Sequence, residues 1–328
     1  MSTQETNFKA IADAIRAKLG TTGTIKASEF ASKIAAISTG VAKPSWVQST
    51  LPTSAYWQSV CYGNGKFVAV ANNSSIAAYS TDGVTWTQTA LPTDTSWYSV
   101  CYGNGKFVAV ANDSSIAAYS TDGVTWTQTA LPTSTYWYSV CYGNGKFVAV
   151  AYGNYISAYS TDGVTWTQTR LPTPASWRSV CYGNGKFVAV AYGNSIPAYS
   201  TDGVNWTQTA LPTSIYWSSV CYGNGKFVAV AYRNSIAAYS TDGVNWTQTA
   251  LPISSNWYSV CYGNGKFVAV ANNNSIAAYS TDGVNWTQTA LRTTTIWQSV
   301  CYGNGKFVAV AYNDSIAVYL KDSFDEWA

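Results

Sequence analysis

A repeat of 40 residues dominates this 328-residue chain and limits what it can fold into. The seven cysteines all fall on that spacing, and two tryptophan series share it, from Trp57 to Trp297 and from Trp46 to Trp286. A period near 40, rich in β-branched and aromatic residues and punctuated by glycine, is typical of four-stranded propeller blades. Seven copies therefore predict an all-β fold, a seven-bladed β-propeller.

Each repeat contains four predicted strands, labelled A to D from the propeller axis outward. In the first repeat these are A (59–64), B (66–71), C (75–80) and D (84–91). Asn64-Gly65 joins A to B, as expected for a type I′ hairpin turn, in which both central residues need positive φ. Asp82-Gly83 forms the turn between strands C and D. We expect Pro92 to end strand D, because proline lacks a backbone donor.

The two ends of the repeat region predict how the ring closes. Residues 45–52 match a D strand with no A to C before it, whereas residues 297–319 supply A to C without the following Ser-Thr-Asp-Gly turn. We therefore expect the N-terminal strand to complete the last blade, which removes an exposed sheet edge. Trp327 could compete with Trp46 for the same outer position. The predicted propeller domain spans 43–328.

Residues 1–42 do not share the repeat and are predicted to form a small helical module. Two apolar stripes have helical spacing, namely Phe8, Ile11, Ile15 and Leu19, and then Phe30, Ile34 and Ile37. The run 11–37 resembles short modules near the start of phage and prophage tail proteins. That resemblance implies a virion protein, made in the bacterial cytoplasm without a signal peptide, that attaches to a tail or baseplate component through residues 1–42. The helices could also form a homo-oligomer.

The seven copies differ from one another mainly in two windows. One lies between D and the next A (54–58 in the first repeat), and the other lies between B and C (72–75). Strand direction in an up-and-down blade places both windows on one face, the variable face, and the invariant turns on the other. The windows are rich in Tyr, Asn, Ser, Thr and Gly, as antibody paratopes are. The alternative is that surface loops simply tolerate change.

Tyrosine and tryptophan faces beside Asn and Asp also suit sugars, so we predict ligand binding at these windows. The candidate residues are Tyr56, Trp57, Asn72, Asn73, Trp97, Tyr98, Asn112, Asp113, Tyr136, Trp137, Tyr138, Tyr152, Asn154, Trp177, Arg178, Tyr192, Asn194, Tyr216, Trp217, Tyr232, Arg233, Trp257, Tyr258, Asn272, Asn273, Trp297, Tyr312 and Asp314. For the tryptophans two interpretations stay open, packing between blades or a stacking surface for ligand.

The pattern Ser-x-Asp-Gly-x-x-Trp resembles the Asp-box of sialidases and other glycosidases. Its aspartates are Asp82, Asp122, Asp162, Asp202, Asp242 and Asp282. We interpret it as a structural turn, because a carboxylate can accept turn N–H groups and glycine permits positive φ. A glycosidase needs two carboxylates flanking the bond, whereas the chain has no histidine and its glutamates lie outside the repeats. We therefore expect no enzymatic activity, no cofactor and no metal.

The composition limits the classes of partner that the chain is expected to have. Only 10% of residues are charged, the net charge is +3, and there is no basic run, so we expect no nucleic acid partner. No apolar stretch approaches 18 residues, so we expect no membrane insertion. The cysteines occupy one equivalent position per repeat. We expect them to be too far apart for disulfides and to serve as small buried apolar side chains.

These patterns together predict a receptor-binding or adhesion protein of a phage or phage-like tail. Its ligand would be a cell-surface glycan, bound multivalently so that weak individual sites sum to useful avidity. Two alternatives stay open. The variable face could bind a protein receptor, or the chain could be a structural or engineered repeat ring without a ligand.

Overall fold

A computed structural model describes residues 9, 11–17 and 45–321. The chain divides into two units, one of which is Ser45–Lys321, and the described part of the other is a single helix, α1, over residues 9 and 11–17. Ala12 and Ile15 are the buried residues of α1, whereas Ile11 is 42% exposed. The predicted apolar stripe is thus buried at Ile15 and exposed at Ile11. The other stripe residues and Trp327 lie outside the described residues.

Twenty-one strands make up the described part of the larger unit. They are β1 (Ser45–Gly63), β2 (Lys66–Asn72), β3 (Ser74–Ser80), β4 (Thr87–Gly103), β5 (Lys106–Asn112), β6 (Ser114–Ser120), β7 (Thr127–Thr135), β8 (Trp137–Gly143), β9 (Lys146–Ala151), β10 (Asn154–Ser160) and β11 (Thr167–Gly183). The others are β12 (Lys186–Asn194), β13 (Ala198–Ser200), β14 (Thr207–Gln208), β15 (Ile215–Gly223), β16 (Lys226–Tyr232), β17 (Asn234–Ser240), β18 (Thr247–Gly263), β19 (Lys266–Ser280), β20 (Thr287–Gly303) and β21 (Lys306–Lys321). No helix of the described residues has the length and apolarity to span a membrane.

The A–B hairpins are built as predicted. Asn64 and Gly65 have φ values of 46° and 74°, and β1 pairs antiparallel with β2 on either side of them. The Asn64 side chain also donates from Nδ2 to the Thr121 carbonyl in the next repeat, at 3.3 Å. The same bond joins neighbouring repeats at Asn104, Asn144, Asn184, Asn224 and Asn304.

Strands D and A are continuous in most repeats, and this corrects the prediction that Pro92 ends strand D. β4 begins at Thr87, rather than at 84, and runs on to Gly103. Its pairing with β3 jumps from Ile76–Ala90 to Ser74–Thr95, so residues 91–94 have no partner in that ladder. Proline is tolerated there because no ladder hydrogen bond is needed from it.

Large side chains of one repeat fill the space against small side chains of the previous one. In one cluster, Val68, Val70 and Ala77 pack with Trp97 and Phe107. Seven such clusters occur among the described residues. The core therefore lies between successive repeats and runs around the whole unit.

The N-terminal strand closes the ring, as predicted. β1 pairs with β21 from Ser45–Lys321 to Thr50–Ile316, and Trp46 in this ladder is only 1% exposed. The backbone N–H of Val60 donates to Ser299 Oγ at 3.1 Å, which repeats the bond that other neighbouring repeats make. The unit is thus an all-β, propeller-like ring whose first and last strands are hydrogen-bonded.

The Asp-Gly turns between C and D have the structural role expected for them. Asp122 Oδ1 accepts the backbone N–H groups of Val124 and Thr125, each at 2.8 Å. The N–H groups of Thr125 and Val124 hold the pKa of Asp122 at about 2, well below the usual value for aspartate. Gly123 has a φ of 73°, and a Cβ there would lie 2.8 Å from Val68. The same bonds recur at the other five aspartates of the motif.

Candidate functional site

The two variable windows lie side by side, as the strand directions predict. Ser74, from a B–C window, pairs with Thr95 of the next D–A window. Ser96 pairs with Asn112, and its hydroxyl donates to Asn73 Oδ1 at 2.7 Å. Each D–A window therefore contacts the B–C windows of the repeats before and after it.

The seven tryptophans at the start of strand A are fully buried, with 0% exposure. Their indole N–H groups donate to the carbonyl four residues earlier, as Trp57 does to Thr53 at 3.2 Å. The interpretation that they form a stacking surface for ligand is wrong, and packing between repeats accounts for them. The correction applies to Trp57, Trp97, Trp137, Trp177, Trp217, Trp257 and Trp297.

Several predicted polar residues are occupied in holding the loops. Asn154 donates to Thr135 Oγ1 at 2.6 Å and accepts the Ile156 N–H at 2.8 Å, and Asn194 accepts the Ile196 N–H at 3.0 Å. Asp314 accepts the Thr295 hydroxyl at 3.3 Å and the Ser315 N–H at 2.7 Å. These acceptors serve the loop, and neither cleft described below includes the three side chains, so their assignment to ligand binding stays a prediction.

One position of every B–C window has a left-handed backbone, with φ between 51° and 83°. Its residues are Asn73, Asp113, Gly153, Gly193, Arg233, Asn273 and Asn313. Asn, Asp and Gly tolerate this conformation, whereas a long side chain there costs about 1 kcal/mol or more. Arg233, with a φ of 57°, therefore carries a backbone strain that the other six repeats avoid.

A cluster of tyrosines surrounds Arg178. Arg178 Cζ lies 4.9 Å from the ring centroid of Tyr138, 4.8 Å from that of Tyr192 and 4.7 Å from that of Tyr258. Tyr98 packs edge-on against Tyr138, with centroids 4.6 Å apart. Tyr98, Tyr138, Arg178 and Tyr258 occupy equivalent positions in different repeats, so the ring geometry brings together residues 40 to 160 apart in sequence.

Arg178 is charged and has no acidic partner among the residues that the structure describes. Burial opposes its charge, but attraction to Tyr138, Tyr258, Tyr192 and Tyr98 raises its pKa. The ion pairs found among the described residues are confined to α1, and the Arg178 guanidinium makes no hydrogen bond with any described residue. Cation–π contacts of about 0.5–2 kcal/mol each offset the loss of water, and the N–H donors remain available.

A cleft of about 320 Å³ opens beside this cluster. It is lined by Tyr98, Asn112, Tyr136, Tyr138, Tyr152 and Arg178. Tyr136 is 49% exposed, and the Tyr138 and Tyr152 centroids are 5.5 Å apart. All six were predicted to be ligand-binding residues, and the structure brings them into one site.

A second cleft, of about 250 Å³, lies in the next repeats. It is lined by Gly193, Ser214, Ile215, Tyr216, Tyr232, Arg233 and Asn234. Arg233 Cζ lies 5.2 Å from the Tyr232 centroid, and Tyr192 stacks on Tyr216 at 4.6 Å. Tyr216, Tyr232 and Arg233 were predicted site residues. Gly193, Ser214, Ile215 and Asn234 were missed, although all four fall within the variable windows.

Other predicted residues form a separate pair where the ring closes. Tyr56 and Tyr312 have centroids 4.9 Å apart, and Tyr56 pairs with both Asn72 and Tyr312. Asn72 is only 8% exposed. Neither cleft described above includes Asn272 or Asn273. Nine of the 28 candidate residues thus line these two clefts.

The seven cysteines are free thiols, one per repeat. Each packs between neighbouring repeats, as Cys61 does in the cluster of Trp97 and Phe107. Burial raises the pKa of all seven thiols. Among the described residues, no group of three or more acidic, histidine or cysteine side chains could hold a metal ion.

Comparisons with known proteins match this architecture at the level of fold. No protein-family model matches the chain, and no curated protein does. Virginiamycin B lyase from Staphylococcus aureus is similar with a TM-score of 0.78 and 12% identity, covering 85% of this chain and 100% of that one. The WD40 β-propeller domain of Doa1 is similar with a TM-score of 0.66 and 14% identity, covering 87% and 100%. This chain has a β-propeller fold.

A third similar structure is YCF48 bound to D1 peptide, with a TM-score of 0.68 and 17% identity, covering 86% of this chain and 98% of that one. The propellers that resemble this chain therefore include an enzyme and a peptide-binding protein. The expectation of no enzymatic activity is contradicted by the lyases, because the lack of a glycosidase's carboxylates does not exclude another reaction on this fold. Identities of 12–17% carry no particular activity to this chain.

Proposed function

We propose that the chain is a seven-bladed propeller of Asp-box type that acts as the receptor-binding or adhesion protein of a phage or phage-like tail. Its ligand is a cell-surface glycan, bound at the variable face. Residues 1–42, whose sequence resembles tail-protein modules, attach it to the tail or baseplate. The seven sequence repeats and the seven inter-repeat clusters support seven blades.

The observation that carries the proposal is where the repeats differ from one another. Turns such as Asn64-Gly65 and Asp82-Gly83 recur almost unchanged, whereas the windows that line the two clefts vary from copy to copy. If surface loops varied only because they tolerate substitution, the turns that recur unchanged should vary as well. Variation restricted to the cleft windows instead fits selection for recognition.

The chemistry of the clefts favours a sugar. Tyrosine rings offer flat apolar faces for the C–H side of a pyranose, and the Asn112 amide offers a donor and an acceptor for its hydroxyls. The Asn234 amide offers its N–H donors, because its Oδ1 accepts the N–H groups of Ser235 and Ile236. The clefts are small, at about 320 and 250 Å³, which suits one or two sugar units. Shallow sites of this kind bind weakly one at a time and gain strength when several are engaged together.

A protein receptor is the second candidate. Tyr136 and Tyr216 are 49% and 44% exposed, and exposed tyrosines are the main anchors of antibody paratopes. YCF48, which shares the fold, is a propeller bound to a peptide.

A glycan array tests the proposal. The full chain is compared with a variant in which Tyr152, Tyr192, Tyr232 and Tyr312 are changed to Asn. The other three repeats already hold Asn at this position, so the variant should fold. We expect the full chain to bind glycans and the variant to lose most of that signal. Binding that the variant keeps would place the site elsewhere, and an empty array followed by capture of a cell-surface protein would favour the second candidate.

A further inference from the structure

The two clefts share one chemical feature that a neutral sugar does not require. Each contains a single arginine, at least two tyrosines and one asparagine, and neither contains an acidic residue. Arg178 and Arg233 are therefore positive charges that line the clefts, and no carboxylate stands beside them among the described lining residues.

Both arginines have a cost that the fold does not require. Arg178 sits among three tyrosine rings, at a position where the other six repeats hold an uncharged Gln, Tyr or Ser. Arg233 occupies a left-handed position where the other repeats place Asn, Asp or Gly. Costly residues at a cleft are expected where they serve a ligand.

The guanidinium groups are also held in place for recognition. Three tyrosine rings surround the Arg178 guanidinium, with centroids 4.7–4.9 Å from Cζ, and its N–H groups donate no hydrogen bond to a described residue. A planar guanidinium whose edge is free binds a carboxylate through two parallel hydrogen bonds. The adjoining rings of Tyr98 and Tyr138 could contact the sugar that carries it.

We infer that the ligand is an acidic saccharide, whose carboxylate is bound by Arg178 in the larger cleft and by Arg233 in the smaller one. This inference rests on the proposed function and adds the class of glycan. An unbroken series of aromatic contacts joins the clefts, from Tyr138 through Arg178 and Tyr192 to Tyr216 and Tyr232. An acidic polysaccharide with carboxylates at regular spacing could therefore occupy both.

The test uses two probes that differ only at their carboxyl groups, an oligogalacturonate and the same oligomer with those groups methyl-esterified. Binding to the full chain is measured by isothermal titration calorimetry at low and high salt. We expect the acid to bind about tenfold or more tightly than the ester, since hydrogen bonds between charged groups are roughly twice as strong as neutral ones. The preference should shrink as salt rises.

Three variants assign the effect to residues. Arg178→Gln and Arg233→Asn introduce residues that the chain uses at the equivalent positions of other repeats. We expect each to lower affinity for the acid about tenfold and to lower affinity for the ester by much less, so that the preference for the acid falls. The control is Arg170→Ala, which removes the same charge at a position where five repeats hold alanine and which lines neither cleft. It should bind the acid as the full chain does.

The outcomes separate this inference from the proposed function. Equal binding of acid and ester, lost in the four-tyrosine variant, would keep the glycan function and overturn the charge assignment. Acid binding that survives both arginine substitutions would also overturn it, as would array binding confined to sulfated or phosphorylated glycans. If neither probe binds and the array is empty as well, both proposals fail.

Discussion

Closure of the ring by the N-terminal strand can be tested by replacing Trp46 with alanine. Trp46 is 1% exposed and pairs opposite Leu320. A buried aromatic side chain removes about 150–250 Å² from water, worth roughly 4–6 kcal/mol at 25 cal/mol per Å². Because the alanine side chain still buries part of that area, we expect Trp46→Ala to lower the free energy of unfolding by about 3–5 kcal/mol. That change corresponds to a fall in Tm of roughly 10 °C.

The matched control is Trp166→Ala. Trp166 holds the equivalent place within a continuous repeat and is 8% exposed. Both indole N–H groups lack a protein acceptor, so neither substitution breaks a hydrogen bond. Thermal unfolding followed by circular dichroism should give similar losses for the two variants. A Tm within about 2 °C of the parent for Trp46→Ala, beside a large loss for Trp166→Ala, would refute closure by this strand.

Three further predictions concern strain, acid stability and thiol reactivity. Arg233→Asn removes about 1–2 kcal/mol of backbone strain and about 0.5–1 kcal/mol of cation–π attraction, so Tm should rise by roughly 2 °C, and a lower Tm would contradict it. The pKa of Asp122, about 2 when folded against about 3.9 unfolded, adds stability above pH 4 that is lost as the pH falls toward 2. In urea titrations, Asp122→Asn should reduce the pH dependence of stability across that window, and an unchanged slope would argue against the turn bonds. Desolvation raises the pKa of all seven thiols, six of which are half-buried, so little thiolate forms at pH 8. A disulfide reagent should therefore label the native chain slowly and the urea-unfolded chain at all seven cysteines, whereas fast native labelling would contradict the raised pKa.

Local chemistry made much of the fold predictable. Asn64-Gly65 and Asp82-Gly83 specify their turns through positive φ and short-range hydrogen bonds, so their geometry follows from the sequence. The pairing of β1 with β21 followed from an unpaired D strand at one end and a missing one at the other. The prediction that Pro92 ends strand D was wrong because this segment has no ladder partner, so the missing backbone donor of proline costs no hydrogen bond.

The site was less predictable because it depends on distant contacts. Comparison of the repeats identified the variable windows, but it did not show which repeats form a cleft. Contacts between Arg178 and the tyrosines at 138, 192 and 258 arise only when the ring brings several repeats together. The burial of Trp57 also depends on the neighbouring repeat. Periodicity alone could not distinguish a packed indole from an exposed one.

The most direct test of binding at the variable face is a crystal structure of the full chain with an oligogalacturonate, or with the strongest glycan from the array. We predict a sugar in the cleft of about 320 Å³, with its ring against Tyr138 or Tyr152 and its carboxylate on Arg178. A sugar bound instead at the invariant turns, such as Asn64-Gly65, would contradict both the place and the chemistry assigned to the site.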